Sequence, residues 1–260
     1  MALDFPSLLN DLRAESDYLI AQLKGLRTEQ WALSTPAAGW TIADQISHLA
    51  FFDDSARLAA TDADQFRTEA AAMMAGGMDF PDRIADQHRH DSPEFLLGWF
   101  SRSRDALLNT FAADDPKRRL PWFGPDMSVA SSATARLMET WAHGQDVYDT
   151  IAVAHPPTPA LRSIAHLGVA TFAFCHTNNG LAVPDEQVRV ELDSPDGQRW
   201  TWGPQDATNS VSGSATDFVL TVTQRRHWSQ TGLTVTGPVA QAWLDIAQAF
   251  AGAPSRRVVS

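Results

Sequence analysis

The sequence predicts an α+β fold in which a bundle of long helices, residues 1–182, precedes a smaller α+β domain, residues 183–260. Two changes of pattern carry this. Apolar residues recur at three- and four-residue steps through the first two-thirds of the chain, the mark of helices with one buried face. After Pro184 the period drops to two, the mark of half-buried strands. Size is the third observation: with 260 residues, 44% of them apolar and 20% charged, the chain can bury a sizeable core, and single cores usually stop growing near this length.

The first helix is expected over Phe5–Leu26, where Leu8, Leu9, Leu12, Leu19 and Leu23 share one face. A second begins at Thr41, whose pairing with Asp44 resembles a capping box with Asp in place of Glu, and runs through Ile46, Leu49 and Phe52 to Met74, ending at Gly76-Gly77. Ser92-Pro93-Glu94 starts a third, which continues to Phe111. After a Pro- and Gly-containing loop, Asp114–Asp126, a fourth is expected from Ser128 to Ile151. A fifth runs from Thr158-Pro159 to Thr177, where Asn178-Asn179-Gly180 stops it. Val188, Val190 and Leu192 then alternate with polar residues, Asp196-Gly197 supplies a hairpin turn, and Trp200 and Trp202 continue the alternation. Strands near Ser210 and over Leu233–Thr236 are interleaved with helices at Ala215–Gln224 and Pro238–Ala251.

The formal charge of -11, without a run of basic residues, argues against a nucleic-acid partner. The absence of a long apolar run argues against a membrane span, and Met1–Leu9 lacks the pattern of a signal peptide, so the expectation is a cytoplasmic protein, monomer or homodimer. Cys175 is the only cysteine, so any metal site must be built from histidine and carboxylate.

Glu139 and His143 stand four residues apart, and four helical steps bring two side chains to the same face, close enough to grip one ion. Asp146, one turn on, could steady a ligand histidine or touch a bound substrate. The same spacing also describes a solvated helix face. His48 lies on an apolar turn of the second helix, as a core histidine would. Together the motifs occupy two long helices of one bundle, where facing helices build metal sites from inward Glu and His. Trp40 and Trp141 read as core, and both are also placed to wall such a site.

The segment Gly39-Trp40-Thr41 through His48-Leu49-Ala50, followed by Glu139-x-x-x-His143-Gly-Gln-Asp146, resembles the mycothiol-dependent maleylpyruvate isomerase family, within the wider DinB-like group. Ser212-Gly213 through Arg225-Arg226 is similar to that family's C-terminal domain, itself similar to sterol carrier proteins. The resemblance spans nearly the whole chain. It implies a DinB-like four-helix bundle, a metal triad of His48, Glu139 and His143, and an arginine offered to the active site, Arg225 or its neighbour Arg226. Gln224–Trp228 and Gly237–Phe250 resemble an actinobacterial branch rather than the isomerase itself, and the insert between Met73 and Asp91, with His88 and His90, has no counterpart there.

Two imidazoles and one carboxylate leave a divalent zinc with net positive charge and an open position, as catalytic sites require. Zinc would deprotonate a low-molecular-weight thiol such as mycothiol, and the thiolate could add to an unsaturated acid or acyl compound. Elimination gives an isomer and retention a conjugate, so an isomerase or S-transferase acting on a small-molecule substrate is expected. An arginine suits a substrate carboxylate through two parallel hydrogen bonds. The alternatives are a metal-dependent hydrolase, a non-haem iron oxygenase using the same ligand set, and a non-catalytic ligand-binding protein stapled by its metal.

Overall fold

Four long helices, α1 (Phe5–Lys24), α2 (Ile42–Thr61), α5 (Pro93–Ala112) and α6 (Val129–Ile151), pack side by side as the expected bundle: α2 lies against α5 and α6, and α1 against the same two. A computed structural model provides this structure, which describes residues 4–252 and 254. The bundle's apolar seam includes Leu19 and Leu23 from α1, Ile42, Ile46 and Leu49 from α2, Leu96 and Phe100 from α5, and Val147 from α6, with Trp31 closing one end. Each of these is at most 4% exposed. Burying a large apolar side chain is worth about 1.5–3 kcal/mol, so this seam supplies much of what holds the helices together.

Helix α2 begins as its sequence suggests. Thr41 Oγ1 accepts from Asp44 N at 3.3 Å while the Asp44 carboxylate accepts from Thr41 N at 2.8 Å, so the short acid completes the box. Ser92 and Ser128 cap α5 and α6, accepting from Phe95 N and Ser131 N.

The expected second helix, Thr41 to Met74, is two helices. At Asp62 the backbone leaves the helical region (φ -148°, ψ 85°) and the carboxylate accepts from Gln65 N at 3.0 Å, so Asp62 ends α2 and caps α3 (Ala63–Ala75). The insert folds as a further helix, α4 (Phe80–His88), laid against α2. The loop after α5 carries a two-strand ladder, β1 (Arg119–Leu120) with β2 (Met127–Ser128). Among the described residues no helix is long and apolar enough to cross a membrane.

The chain divides into two compact units, Met1–His155 and Pro156–Ser260. The change from helical to strand period near residue 183 and this packing boundary are separate features. The expected fifth helix is split at Thr171 into α7 (Leu161–Ala170) and α8 (Phe172–Asn178), and α7 packs on α9 (Ala215–Val222) of the second unit. That unit holds a sheet of β3 (Val188–Asp193), β4 (Arg199–Trp202), β5 (Asn209–Ser214) and β6 (Thr234–Thr236), in the order β4-β3-β5-β6. The β3–β5 pair is parallel and the outer pairs antiparallel. Val190, Leu192, Trp200 and Val211 point to one face and are buried there, and α9 and α10 (Pro238–Leu244) pack on the sheet. Helix α10 ends at Leu244, short of the expected Ala251.

Candidate metal centre

His48 projects from the second turn of α2, and Glu139 and His143 from adjacent turns of α6, which packs directly on α2. One ligand atom from each lies within 4.8 Å of the other two. The imidazoles converge on a single carboxylate oxygen: His143 Nε2 is 3.0 Å and His48 Nε2 3.7 Å from Glu139 Oε2. The three side chains are 12%, 24% and 11% exposed for His48, Glu139 and His143, sheltered yet reachable. Metal–ligand bonds of about 2.0–2.2 Å separate neighbouring ligand atoms by roughly 3–4 Å, so the trio fits one divalent ion with small adjustments.

Burial by itself would push the Glu139 carboxyl up. Hydrogen bonds from His143 and His48, together with their charge, outweigh it and hold the carboxyl well below the usual carboxylate range. An ionised carboxylate between two imidazoles is the donor set a divalent cation takes.

The orientation of His143 is set by Gln45, a residue that the spacing argument overlooks. Gln45 Nε2 donates to Thr35 Oγ1 at 2.8 Å, which turns Gln45 Oε1 toward His143 Nδ1. An amide oxygen only accepts, so Nδ1 carries a proton, and Nε2 is the nitrogen left to face the centre, where it donates to Glu139 or, once a cation takes the place of that proton, offers its lone pair. Gln45 stands three residues before His48 on α2, and that i, i+3 relation is the signal by which it could have been found.

Trp40 lies where a wall was expected, its ring 5.7 Å from His143 in a stacked arrangement (19°) and 5.2 Å from His48. Phe52, one turn after His48, covers that imidazole at 4.5 Å and leads into a cluster with Phe80, Trp122 and Phe123. Trp141 is two positions after Glu139 and so on another side of α6; it is 1% exposed and stacks on His155 at 5.0 Å. Asp146 is fully buried on α6. Arg225 and Arg226 lie in the second unit, just past α9, where Gln224 (φ 58°) turns the chain and the amides of both arginines reach Leu220 O. Arg225 Nη1 donates to Thr223 O at 2.8 Å and Arg226 Nη1 to Arg225 O at 2.7 Å. His88 pairs with Asp91 at 2.8 Å and rests on Trp99, and so serves the insert's own packing.

Residues 12–148 match the family model described as mycothiol maleylpyruvate isomerase N-terminal domain, and residues 184–236 match one described as wyosine base formation. Two proteins of Mycobacterium tuberculosis, both described as uncharacterised, are each 49% identical to the chain over 246 residues, covering 95% of it and 96% of their own length. Crystal structures of a mycothiol-dependent maleylpyruvate isomerase and of a histidine-to-alanine mutant share the fold, each with a TM-score of 0.61 at 17% identity over 90% of this chain and 93% of theirs. With the first match spanning more than half the sequence and covering all three triad residues, the chain belongs to the mycothiol-dependent maleylpyruvate isomerase family.

Proposed function

We propose that the chain is a zinc-dependent enzyme that uses a low-molecular-weight thiol such as mycothiol. Its reaction is reversible addition of the thiol to an unsaturated acid or acyl compound, with elimination giving an isomer and retention an S-conjugate. The observation that carries the proposal is the convergence of two imidazole Nε2 atoms on Glu139 Oε2 at 3.0 and 3.7 Å. Family membership supports the thiol.

Each residue of the site has a role in this reading. His48, Glu139 and His143 hold the ion, and with three protein ligands they leave a position open. A divalent ion there supplies Lewis acidity that lowers the pKa of a thiol or a water. Gln45 keeps the His143 proton on Nδ1, so that Nε2 faces the centre. Trp40 and Phe52 pack against the imidazoles and exclude water from their flanks, which strengthens electrostatic interactions at the centre.

Metal analysis of purified protein is expected to find one divalent ion per chain, and none in folded His48→Ala or Glu139→Gln proteins. With Co2+ in the site, adding a small thiol should produce an intense sulfur-to-metal charge-transfer band. Protein lacking stoichiometric metal, or binding unaffected by His48→Ala, would overturn the metal reading. Absence of the sulfur band, with thiol-independent turnover of esters or amides, would replace thiol addition by hydrolysis.

A further inference from the structure

The segment between Met73 and Asp91 has no place in the reaction described so far, yet it is joined to the metal centre by a short series of contacts. Its helix, α4, opens on Phe80-Pro81 and buries Phe80 and Ala85 against the bundle, with Phe80 stacked on Phe123 at 4.9 Å. Asp82 on α4 and Arg89, which caps the helix in a helical conformation (φ -57°, ψ -28°), are seven residues apart, two helical turns, and so look the same way. Both hold the Gly39–Asp44 segment that leads into α2. Asp82 Oδ1 accepts from the indole Nε1 of Trp40 at 2.8 Å. Arg89 Nε lies 3.2 Å from both oxygens of the fully buried Asp44, and Arg89 Nη2 donates to Gly39 O at 3.2 Å.

Trp40 is thereby fixed at both ends. Its carbonyl accepts from Thr35 N and Thr35 Oγ1, its amide donates to Ala37 O, and its one side-chain donor is committed to Asp82. The ring so held is the one that lies against both triad imidazoles. An indole has a single N–H, so without Asp82 nothing polar selects this orientation of the ring over its other rotamers.

We propose that Asp82 is a positioning residue for the metal centre, acting through Trp40, and that α4 splints the turn preceding the His48 helix. The inference rests on the metal reading of the triad. Outer partners of metal ligands tune affinity without touching the ion, and their loss typically costs 10- to 100-fold.

The test is Zn2+ affinity, measured by competition with a chromophoric chelator, together with the visible spectrum of the Co2+-loaded full chain. Asp82→Ala and Trp40→Phe should each weaken Zn2+ binding about tenfold and alter the Co2+ band shape. The double variant should be no weaker than either single one, because both remove the same link. Asp82→Asn should restore binding, since its amide oxygen can accept from the indole. Asp91→Ala, which breaks only the pairing of Asp91 with His88 at the end of α4, should bind as wild type. Wild-type affinity and spectrum in Asp82→Ala, additive losses in the double variant, or an equal loss in Asp91→Ala would each overturn the proposal. Failure of the metal reading looks different: wild-type protein would then bind no Zn2+ that His48→Ala removes, and the inference would fall with it.

Discussion

Gln45 and His143 stand 98 residues apart in sequence, and the amide oxygen of one receives the Nδ1 proton of the other. The amide is held from behind by Thr35 at 2.8 Å, so the pair behaves as a preset tautomer rather than as a free imidazole. Gln45→Leu keeps the volume and removes the acceptor. It is expected to weaken Zn2+ binding by about 10- to 100-fold while leaving the helical circular dichroism unchanged. Gln45→Glu retains an acceptor and should fall between the two. Titration against a chromophoric chelator reads both, and equal affinities in all three proteins would remove Gln45 from the centre.

Below the triad the bundle contains a buried ionic knot. Asp53, fully buried on α2, receives Arg104 Nε at 2.8 Å and Nη2 at 3.0 Å, and Arg136 Nε at 2.9 Å. Arg104 also reaches Ser16 and Thr140, and Arg136 donates to Leu49 O, so all four helices are tied. Burial pulls the Arg104 guanidinium down from its ordinary value, opposed by the Asp53 carboxylate. Asp53→Ala would strand two guanidinium groups in the core, and breaking a buried pair in this way costs about 3–5 kcal/mol. Urea unfolding of the metal-free protein should show that loss as a lower midpoint. A change under 1 kcal/mol would mean that water reaches the knot and replaces the carboxylate.

The knot also marks the limit of what the sequence discloses. The four bundle helices are legible because their leucines and isoleucines repeat at helical spacing, and Glu139 and His143 because they are local neighbours on α6. Asp53 and Arg104 look like solvent-facing residues, since their partners lie 51 positions apart and nothing local pairs them. The break at Asp62 is hidden for a similar reason: apolar spacing continues through it, and an aspartate inside a helix differs from one capping a helix only by backbone angles. Helix α4 is only nine residues long, so the spacing of Phe80, Ile84 and Ala85 spans too few turns to mark a helix before α2 is there to receive it. The packing of α7 on α9 is likewise a tertiary choice that leaves no trace in the period of either helix.

Tyr148, fully buried on α6 and stacked on His155 at 4.3 Å, gives the fold an alkaline limit. Burial, with smaller contributions from the charges of Glu15 and Tyr18, pushes its phenol up to about 12. In the unfolded chain a tyrosine ionises near 10, so between pH 10 and 12 the folded state holds a proton that the unfolded state has lost, and stability falls as pH rises. The loss should approach about 3 kcal/mol, at about 1.4 kcal/mol per unit. Below pH 10 the contribution is constant. Its hydroxyl has no hydrogen-bond partner among the described residues, so Tyr148→Phe should be nearly neutral at pH 7. Denaturant unfolding across pH 8–12 tests this: the wild-type and Tyr148→Phe curves should run together up to pH 10 and then separate, wild type falling below the variant, and curves that stay together would place the phenol in contact with water.

The close approach of α7 to α9 depends on the missing side chain at Gly168. A Cβ built there would lie 2.8 Å from Val222 Cγ2 and 2.9 Å from both Val222 Cβ and Cγ1, inside any tolerated carbon–carbon distance. Val222 is fully buried and β-branched, so it cannot rotate out of the way without opening the core beneath the sheet. Gly168→Ala should therefore destabilise the protein by about 1–3 kcal/mol, even though alanine is the better helix former. The steric origin predicts a specific rescue. Val222→Ala alone leaves a cavity and is also destabilising, but combined with Gly168→Ala the new methyl partly fills the space and the two losses should be markedly less than additive. Thermal unfolding of the four proteins in the cycle gives the coupling directly. Additive losses would show that α7 shifts away from α9 instead of pressing on Val222.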